Sequence, residues 1–177
     1  MAPRPAPDLD LRREQIVHAA REIAGSDGWP AVTMRRIATE IGVTQPVLYS
    51  AFPAGRQAVV DAIAISGFLA IAEALEAVSP EPLARMTAYL DFAVAHPRIY
   101  EAMFTMPSGL QFGTGQGPDP LRRAFSAIEA AFPGADATTA EVAWATAHGL
   151  ASLQLSGRLP VERIQERLRL ANDALSR

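Results

Sequence analysis

The sequence predicts an all-α fold of about nine helices. Three observations carry that prediction: apolar residues recur at helical spacings, Pro and Gly clusters cut the chain into helix-length pieces, and no alternating strand pattern runs beyond a few residues. The chain has 177 residues, 49% hydrophobic and 20% charged, which supports a sizeable core and excludes wholesale disorder.

Residues 1–10 hold three prolines, two acids and no apolar run, so they are expected to form a disordered tail and not a signal peptide. A first helix is expected from about Leu11 to Ala24, with Ile16, Ala19, Ala20 and Ile23 on one stripe, halted at Gly25-Ser26-Asp27-Gly28. Thr33 is a good N-cap for a second helix carrying Met34, Ile37, Ala38 and Ile41, which Gly42 ends by entering the left-handed region cheaply. Thr44 caps a short third helix through Tyr49. After Pro53-Ala54-Gly55 a long helix is expected over roughly Arg56–Val78, and Pro80 and Pro82 open a fifth that ends near Ala95. His96-Pro97 breaks it, and a sixth helix runs to about Thr105. Pro107 to Pro120 is glycine-rich and reads as a mobile loop. Leu121, Phe125, Ile128 and Phe132 line a seventh helix, Thr138 or Thr139 caps an eighth reaching Ser156, and Pro160 starts a ninth at a first-turn position.

Composition narrows the function. A formal net charge of -3 excludes a uniformly basic nucleic-acid coat but not a small basic face. Residues 1–65 balance seven Arg against seven acids, whereas 66–177 hold nine Arg and twelve acids. All sixteen of the Lys+Arg residues are Arg; with 34 Ala, this points to coding bias more than to function. Without cysteine there are no disulfides, thiolate metal sites or thiol nucleophiles. His18, His96 and His148 lack partners at metal-ligand spacing, and the glycines of 113–117 follow no strand, so no catalytic residue, metal or cofactor is expected. The uncharged stretch Ala62–Ala72 is far shorter than the roughly 18–20 residues that cross a bilayer, so a cytoplasmic protein without a membrane partner is expected.

Thr33 to Tyr49 has the pattern of a helix–turn–helix, with Ile37, Ala38, Ile41, Val43, Val47 and Leu48 as its miniature core. With those positions buried, Gln45, Pro46, Tyr49 and Ser50 remain on the outward face of the third helix. Recognition helices present their N-terminal residues to base edges, which makes Gln45 the natural base reader through its amide. Thr33, Thr44, Tyr49 and Arg56 are placed for phosphate contacts that fix register, and Thr44 and Arg56 also sit at helix N-termini. For Arg35 and Arg36, a solvated face and a phosphate contact are equally good readings.

The run TMRRIATEIGVTQPVLYSAFPAGRQAVV over 33–60, preceded by AAREIAGSDGWPAVT with Trp29 at the aromatic turn, resembles the DNA-binding domain of the tetracycline-repressor (TetR) family. The resemblance covers roughly Arg12 to Ala62. Two places depart from the family's usual pattern: Ala51 stands where a His is common, and Arg56 where a Lys usually opens the fourth helix. The resemblance implies a ligand-responsive regulator, a repressor by preference, whose homodimer binds a pseudo-palindromic double-stranded operator. It places a helix–turn–helix domain at 11–55 and a helical ligand-binding and dimerisation domain at 56–177. A helical small-molecule-binding protein or enzyme with a vestigial DNA-binding end is the alternative, with Ala51 its only hint.

Val142 to Gly157 holds sixteen uncharged residues, and a helix apolar all round must be buried all round. Val161, Ile164, Leu168, Ala171 and Leu175 on the ninth helix follow the spacings of a bundle seam. These two helices are therefore expected to form the dimer interface, with Gly149, Ser152, Leu153 and Ser156 allowing close approach. The Trp144…His148-Gly149 pattern also resembles a C-terminal subtype of the family marked by Trp, His and Gly. Tyr89, Phe92, Tyr100, Met103, Phe104, Phe125, Trp144 and His148 are candidates to line an apolar effector pocket, with Tyr89, Tyr100 and His148 as polar handles; ordinary core is the competing reading for each.

Overall fold

The computed structural model describes residues 8–107, 117–132 and 137–175. Among these are nine α-helices and no strand. The expected tail over 1–7 and most of the expected loop over 107–120 lie outside the described residues.

Helix α1 (Leu9–Asp27) starts two residues after Pro7 because the Asp8 carboxylate accepts from the backbone N–H groups of Asp10 and Leu11, both at 3.1 Å. It continues past Gly25, where a stop was expected. One glycine costs a helix only about 1 kcal/mol, and the Ser26 hydroxyl donates back to the Glu22 carbonyl at 3.1 Å. Its stripe of Ile16, Ala19, Ala20 and Ile23 is buried. A 3-10 turn over Trp29–Ala31 leads into α2 (Met34–Glu40), whose first turn is capped by Thr33 accepting from the Arg36 N–H. Gly42, at φ +68°, then reverses the chain. Its N–H donates to the Thr39 carbonyl and that of Val43 to the Ala38 carbonyl, the paired bonds of a Schellman end. Helix α3 (Gln45–Ala51) follows at once, with Pro46 in its first turn.

Helix α4 (Arg56–Glu76) is the centre of the molecule. Nine of its residues are buried, from Val59 to Leu75, and α1, α5 (Pro82–Ala95), α6 (Pro97–Phe104) and α7 (Asp119–Glu129) all pack on it. By length and apolar composition alone α4 could cross a bilayer, although the shorter uncharged stretch within it suggested otherwise. Burial against four other helices is the physical reason for that composition. Gly67 sets how closely α6 approaches: a Cβ there would fall 2.6 Å from both Ile99 Cγ2 and Met103 Sδ.

Helix α8 (Ala137–Leu155) already includes Thr138 and Thr139, which therefore lie within its first turn and are not its cap. Ala140, Ala143, Ala147 and Ala151 form its buried row, packed chiefly on α5. Pro160 precedes a short 3-10 turn over Val161–Arg163, and α9 (Ile164–Leu175) begins only after it.

Gly67→Ala is expected to destabilise the protein by about 1–3 kcal/mol, because Ile99 and Met103 must move to admit one methyl group. Urea unfolding monitored by circular dichroism measures this, and a change within ±0.3 kcal/mol would show that α6 yields freely.

Candidate nucleic-acid interface and effector cavity

The first site is built on α3. Leu48 and Ala51 point into a core shared with Ile37, Ala38 and Trp29, while Ile41 and Val43 pack half-buried at its edge. That packing leaves Thr44, Gln45, Pro46, Tyr49 and Ser50 exposed together, with Tyr49 at 45%. Thr33 and Arg35 are also exposed at the start of α2. The Ser50 hydroxyl donates to the Val47 carbonyl at 2.7 Å, so part of its capacity is used within its own helix.

Arg56, expected at a phosphate, uses two of its donors within the fold. Its Nε donates to the Val32 carbonyl at 2.7 Å and its NH2 to the Trp29 carbonyl at 3.0 Å, which ties the start of α4 to the turn ahead of α2. Its neighbour Gln57 donates from Nε2 to the Pro107 carbonyl at 2.6 Å. Ala51 is buried against α1, where its carbonyl accepts from Arg13 Nε at 3.2 Å.

The second site is a cavity of about 590 Å3 between α4, α5, α6, α7 and α8. Of the residues expected to line it, Tyr89, Phe104, Phe125 and Trp144 do so. Phe68, Ile71, Leu75, Leu121, Ala124 and Ile128 complete the apolar wall, and Arg122, Ser126 and Glu141 also border it. Arg122 pairs with Asp119 and donates to the Gly117 carbonyl at 3.2 Å. Phe92, Tyr100, Met103 and His148 stand behind the wall and not on it. Phe92 is buried and packs on His96, and Met103 fills the space over Gly67.

Tyr100 and His148 instead belong to a hydrogen-bonded chain that starts at the cavity. Trp144 Nε1–H donates to the Tyr89 hydroxyl at 3.2 Å, the Tyr89 and Tyr100 hydroxyls meet at 3.2 Å, and Tyr100 meets His148 Nδ1 at 2.7 Å. The other ring nitrogen, Nε2, lies 3.4 Å from the Ser152 hydroxyl. With His148 neutral and its proton on Nε2, every donor along this chain points the same way. Burial favours the neutral forms throughout: it pushes the Tyr89 hydroxyl up to about 12, raises that of Tyr100, and lowers His148 from 6.5.

The expected dimer seam divides. Leu168 is only 1% exposed inside a single chain, whereas Ile164, Ala171 and Leu175 are half-buried against the same core. Val161 is exposed. On α8 the row opposite the buried alanines runs Val142, Gly149 and Leu153, with Ser156 just past the helix end, and Val142 is 48% and Leu153 40% exposed. Ser152 lies beside that row, half-buried.

A helix–turn–helix with a polar recognition face, joined to an all-helical body, defines the class of DNA-binding transcriptional regulators. Residues 16–63 match the family model of bacterial regulatory proteins of the tetR family, and residues 83–175 match that of the tetracyclin repressor-like C-terminal domain. The chain belongs to the tetR family of transcriptional regulators. It is 30% identical over 103 residues to YobS, an uncharacterized HTH-type transcriptional regulator of Bacillus subtilis (strain 168), a match covering 55% of this chain and 53% of that protein. The chain thus spans about half the length of this curated relative. A protein of unknown function from Rhodococcus sp. RHA1 has a similar structure, with TM-score 0.67 and 26% identity over 99% of this chain and 97% of the other. A TetR transcriptional regulator from the same organism shares the fold at TM-score 0.67 and 18% identity, covering 94% and 97% of the two chains.

His148 gives the fold a defined pH dependence. Its folded value is lowered, so below about 6.5 the unfolded chain binds the proton first, and stability falls as the pH drops from 6.5 toward the folded value. Above 6.5 this contribution is fully present. Melting temperatures between pH 5.5 and 7.5 should show the wild type losing more stability on acidification than His148→Gln, and parallel curves would refute the assignment.

Proposed function

We propose that the chain acts as a homodimeric, ligand-released transcriptional repressor and not as an enzyme, working in the cytoplasm on a pseudo-palindromic operator. The supporting observation is the α3 surface, where Thr44, Gln45, Pro46, Tyr49 and Ser50 are exposed together while Leu48 and Ala51 anchor the helix beneath them. In this reading Gln45 reads a base edge, and Thr33, Arg35, Thr44 and Tyr49 hold phosphates, with Pro46 and Ser50 packed along the groove wall. Arg56 contributes chiefly by fixing α4 to the helix–turn–helix. DNA recognition is assigned to residues 11–55, and effector binding and dimerisation to 56–177.

Two copies would present their α3 helices to successive major grooves about 34–36 Å apart. The uncharged outward row of α8 supports its assignment to the subunit contact, with Ser152 at its margin. A ligand in the apolar cavity would press on Phe104 at the end of α6. Three residues later the Pro107 carbonyl holds Gln57, and Arg56 beside it holds the turn before α2. A coupling of only about 1–3 kcal/mol along that path changes operator occupancy from severalfold to a hundredfold.

Gln45→Ala should weaken binding to the preferred operator by about 1–3 kcal/mol and relax specificity at one base pair per half-site. Tyr49→Phe should instead weaken all sequences alike. Gel shifts over a panel of operator variants separate the two, and an unchanged ranking with Gln45→Ala would remove Gln45 as the base reader. For the subunit contact, Leu153→Glu should yield folded monomers in sedimentation, whereas Leu168→Glu should unfold the chain by burying an unpaired charge. A dimeric Leu153→Glu protein would move the interface elsewhere.

A further inference from the structure

The mouth of the cavity lies between α7 and α8. Arg122 and Ser126 line it from α7, Glu141 and Ala145 line it from α8, and all four are exposed. Glu141, Trp144 and Ala145 stand at helical spacings of three and four residues, so one face of α8 turns all three toward the same space. The two charged groups at this mouth are not equivalent. The Arg122 guanidinium is paired with Asp119 and donates to the Gly117 carbonyl at 3.2 Å. Among the described residues no cation pairs with Glu141. Residues 108–116 and 133–136 contain neither Arg nor Lys. Arg123, next along α7, is turned to α4, where Glu76 accepts from its Nε at 2.8 Å. On that side two guanidinium groups, Arg123 and Arg85, act on the carboxylates of Glu73 and Glu76, and the charges balance. The unpaired charge that lines the cavity is therefore the negative one on Glu141.

A carboxylate in water needs no partner, so Glu141 does not strain the free protein. Its effect falls on what enters the cavity. An anionic headgroup at Arg122 would share one guanidinium with Asp119 and meet a like charge at Glu141. A cationic headgroup meets an opposite charge there and, one turn along α8, the indole of Trp144. The Trp144 ring lies 6.2 Å from Phe125 and 6.4 Å from Phe104 between centroids, so three aromatic rings gather on the wall that Glu141 borders. Aromatic faces carry negative potential and attract an ammonium group, Trp most strongly. The α4 side of the cavity, with Phe68, Ile71 and Leu75, is buried and offers only hydrocarbon.

We propose that the cavity takes a cationic amphiphile, an amine or ammonium group on an alkyl or aryl body. The body lies against Phe68, Ile71 and Leu75, and the charged head sits between the Glu141 carboxylate and the rings of Trp144 and Phe125. The proposal rests on reading the cavity as the effector site. A volume of about 590 Å3 accommodates such a body. Because the carboxylate is solvated, its preference for a cation is severalfold and weakens with salt.

The test uses 4-phenylbutylamine, 4-phenylbutan-1-ol and 4-phenylbutyrate, which share one apolar body and differ in the charge of the head. Calorimetric titration of the full-length protein at low salt should show the amine binding about fivefold or more tighter than the alcohol. The butyrate should bind no tighter than the alcohol. Raising the salt to about 0.5 M should shrink the advantage of the amine. Glu141→Gln keeps the shape of an exposed side chain, so it should fold, retain the alcohol affinity and lose at least half of the amine's advantage. Arg122→Gln should leave that advantage in place. Equal affinity of the wild type for amine and alcohol overturns the proposal, as does tighter binding of the butyrate. An advantage undiminished in Glu141→Gln, or no binding of any of the three, overturns it too. Operator gel shifts keep the two readings apart. A cation preference that depends on Glu141, in a protein whose operator binding the amine does not change, establishes the site and removes the ligand-released regulator. Release from the operator by alcohol and amine at equal concentrations keeps the regulator and overturns this inference.

Discussion

The packing of α4 is the constraint on which the rest of the structure depends. One helix must satisfy α1 near its start and α5, α6 and α7 along its length, which leaves little of it facing water and explains its apolar composition. The approach of α6 is possible only because residue 67 has no side chain. That close contact places Phe104 on the cavity wall and, three residues on, the Pro107 carbonyl against Gln57. The same helix begins at Arg56, whose guanidinium is bonded to two carbonyls ahead of α2. Core packing and the hydrogen bonds that link the cavity wall and the helix–turn–helix therefore share one element.

The helical framework was largely legible in the sequence, because stripes such as Ile16, Ala19, Ala20 and Ile23 mark a buried face whatever packs against it. The helix–turn–helix was equally clear, since Gly42, Thr33 and the Ile37–Leu48 core leave few other arrangements. Leu168 shows where that logic stops. A seam spacing reports that a residue is buried, but the covering surface can belong to the same chain or to another, and here Leu168 is covered by its own chain. For α8 the difficulty was reversed: an uncharged helix was readable, but its fully buried row is alanine, Trp144 and Leu150 pack half-buried beside it, and Val142 and Leu153 point out.

The cavity was legible in composition and less so in geometry. Aromatic residues of α5, α6 and α8 do converge, yet spacing along a single helix does not reveal which ring forms the wall and which supports it. Tyr100 and His148 are separated by 48 positions and meet only in the fold. Gly67 went unread although it carried a signal: a lone glycine inside an apolar helix. It matters through what surrounds it, and no local pattern encodes that.

The two tryptophans give the protein a natural optical division of labour. Trp29 is sealed within the helix–turn–helix, its indole N–H without a partner, whereas Trp144 lines the cavity and hands its N–H to Tyr89. An indole bonded to a phenol and one enclosed by hydrocarbon emit from different environments. Replacing Trp29 with Phe therefore leaves a single tryptophan, at the cavity wall, and replacing Trp144 leaves one beneath the recognition helix. Events in either half of the molecule then become visible in separate channels of light, without any added label.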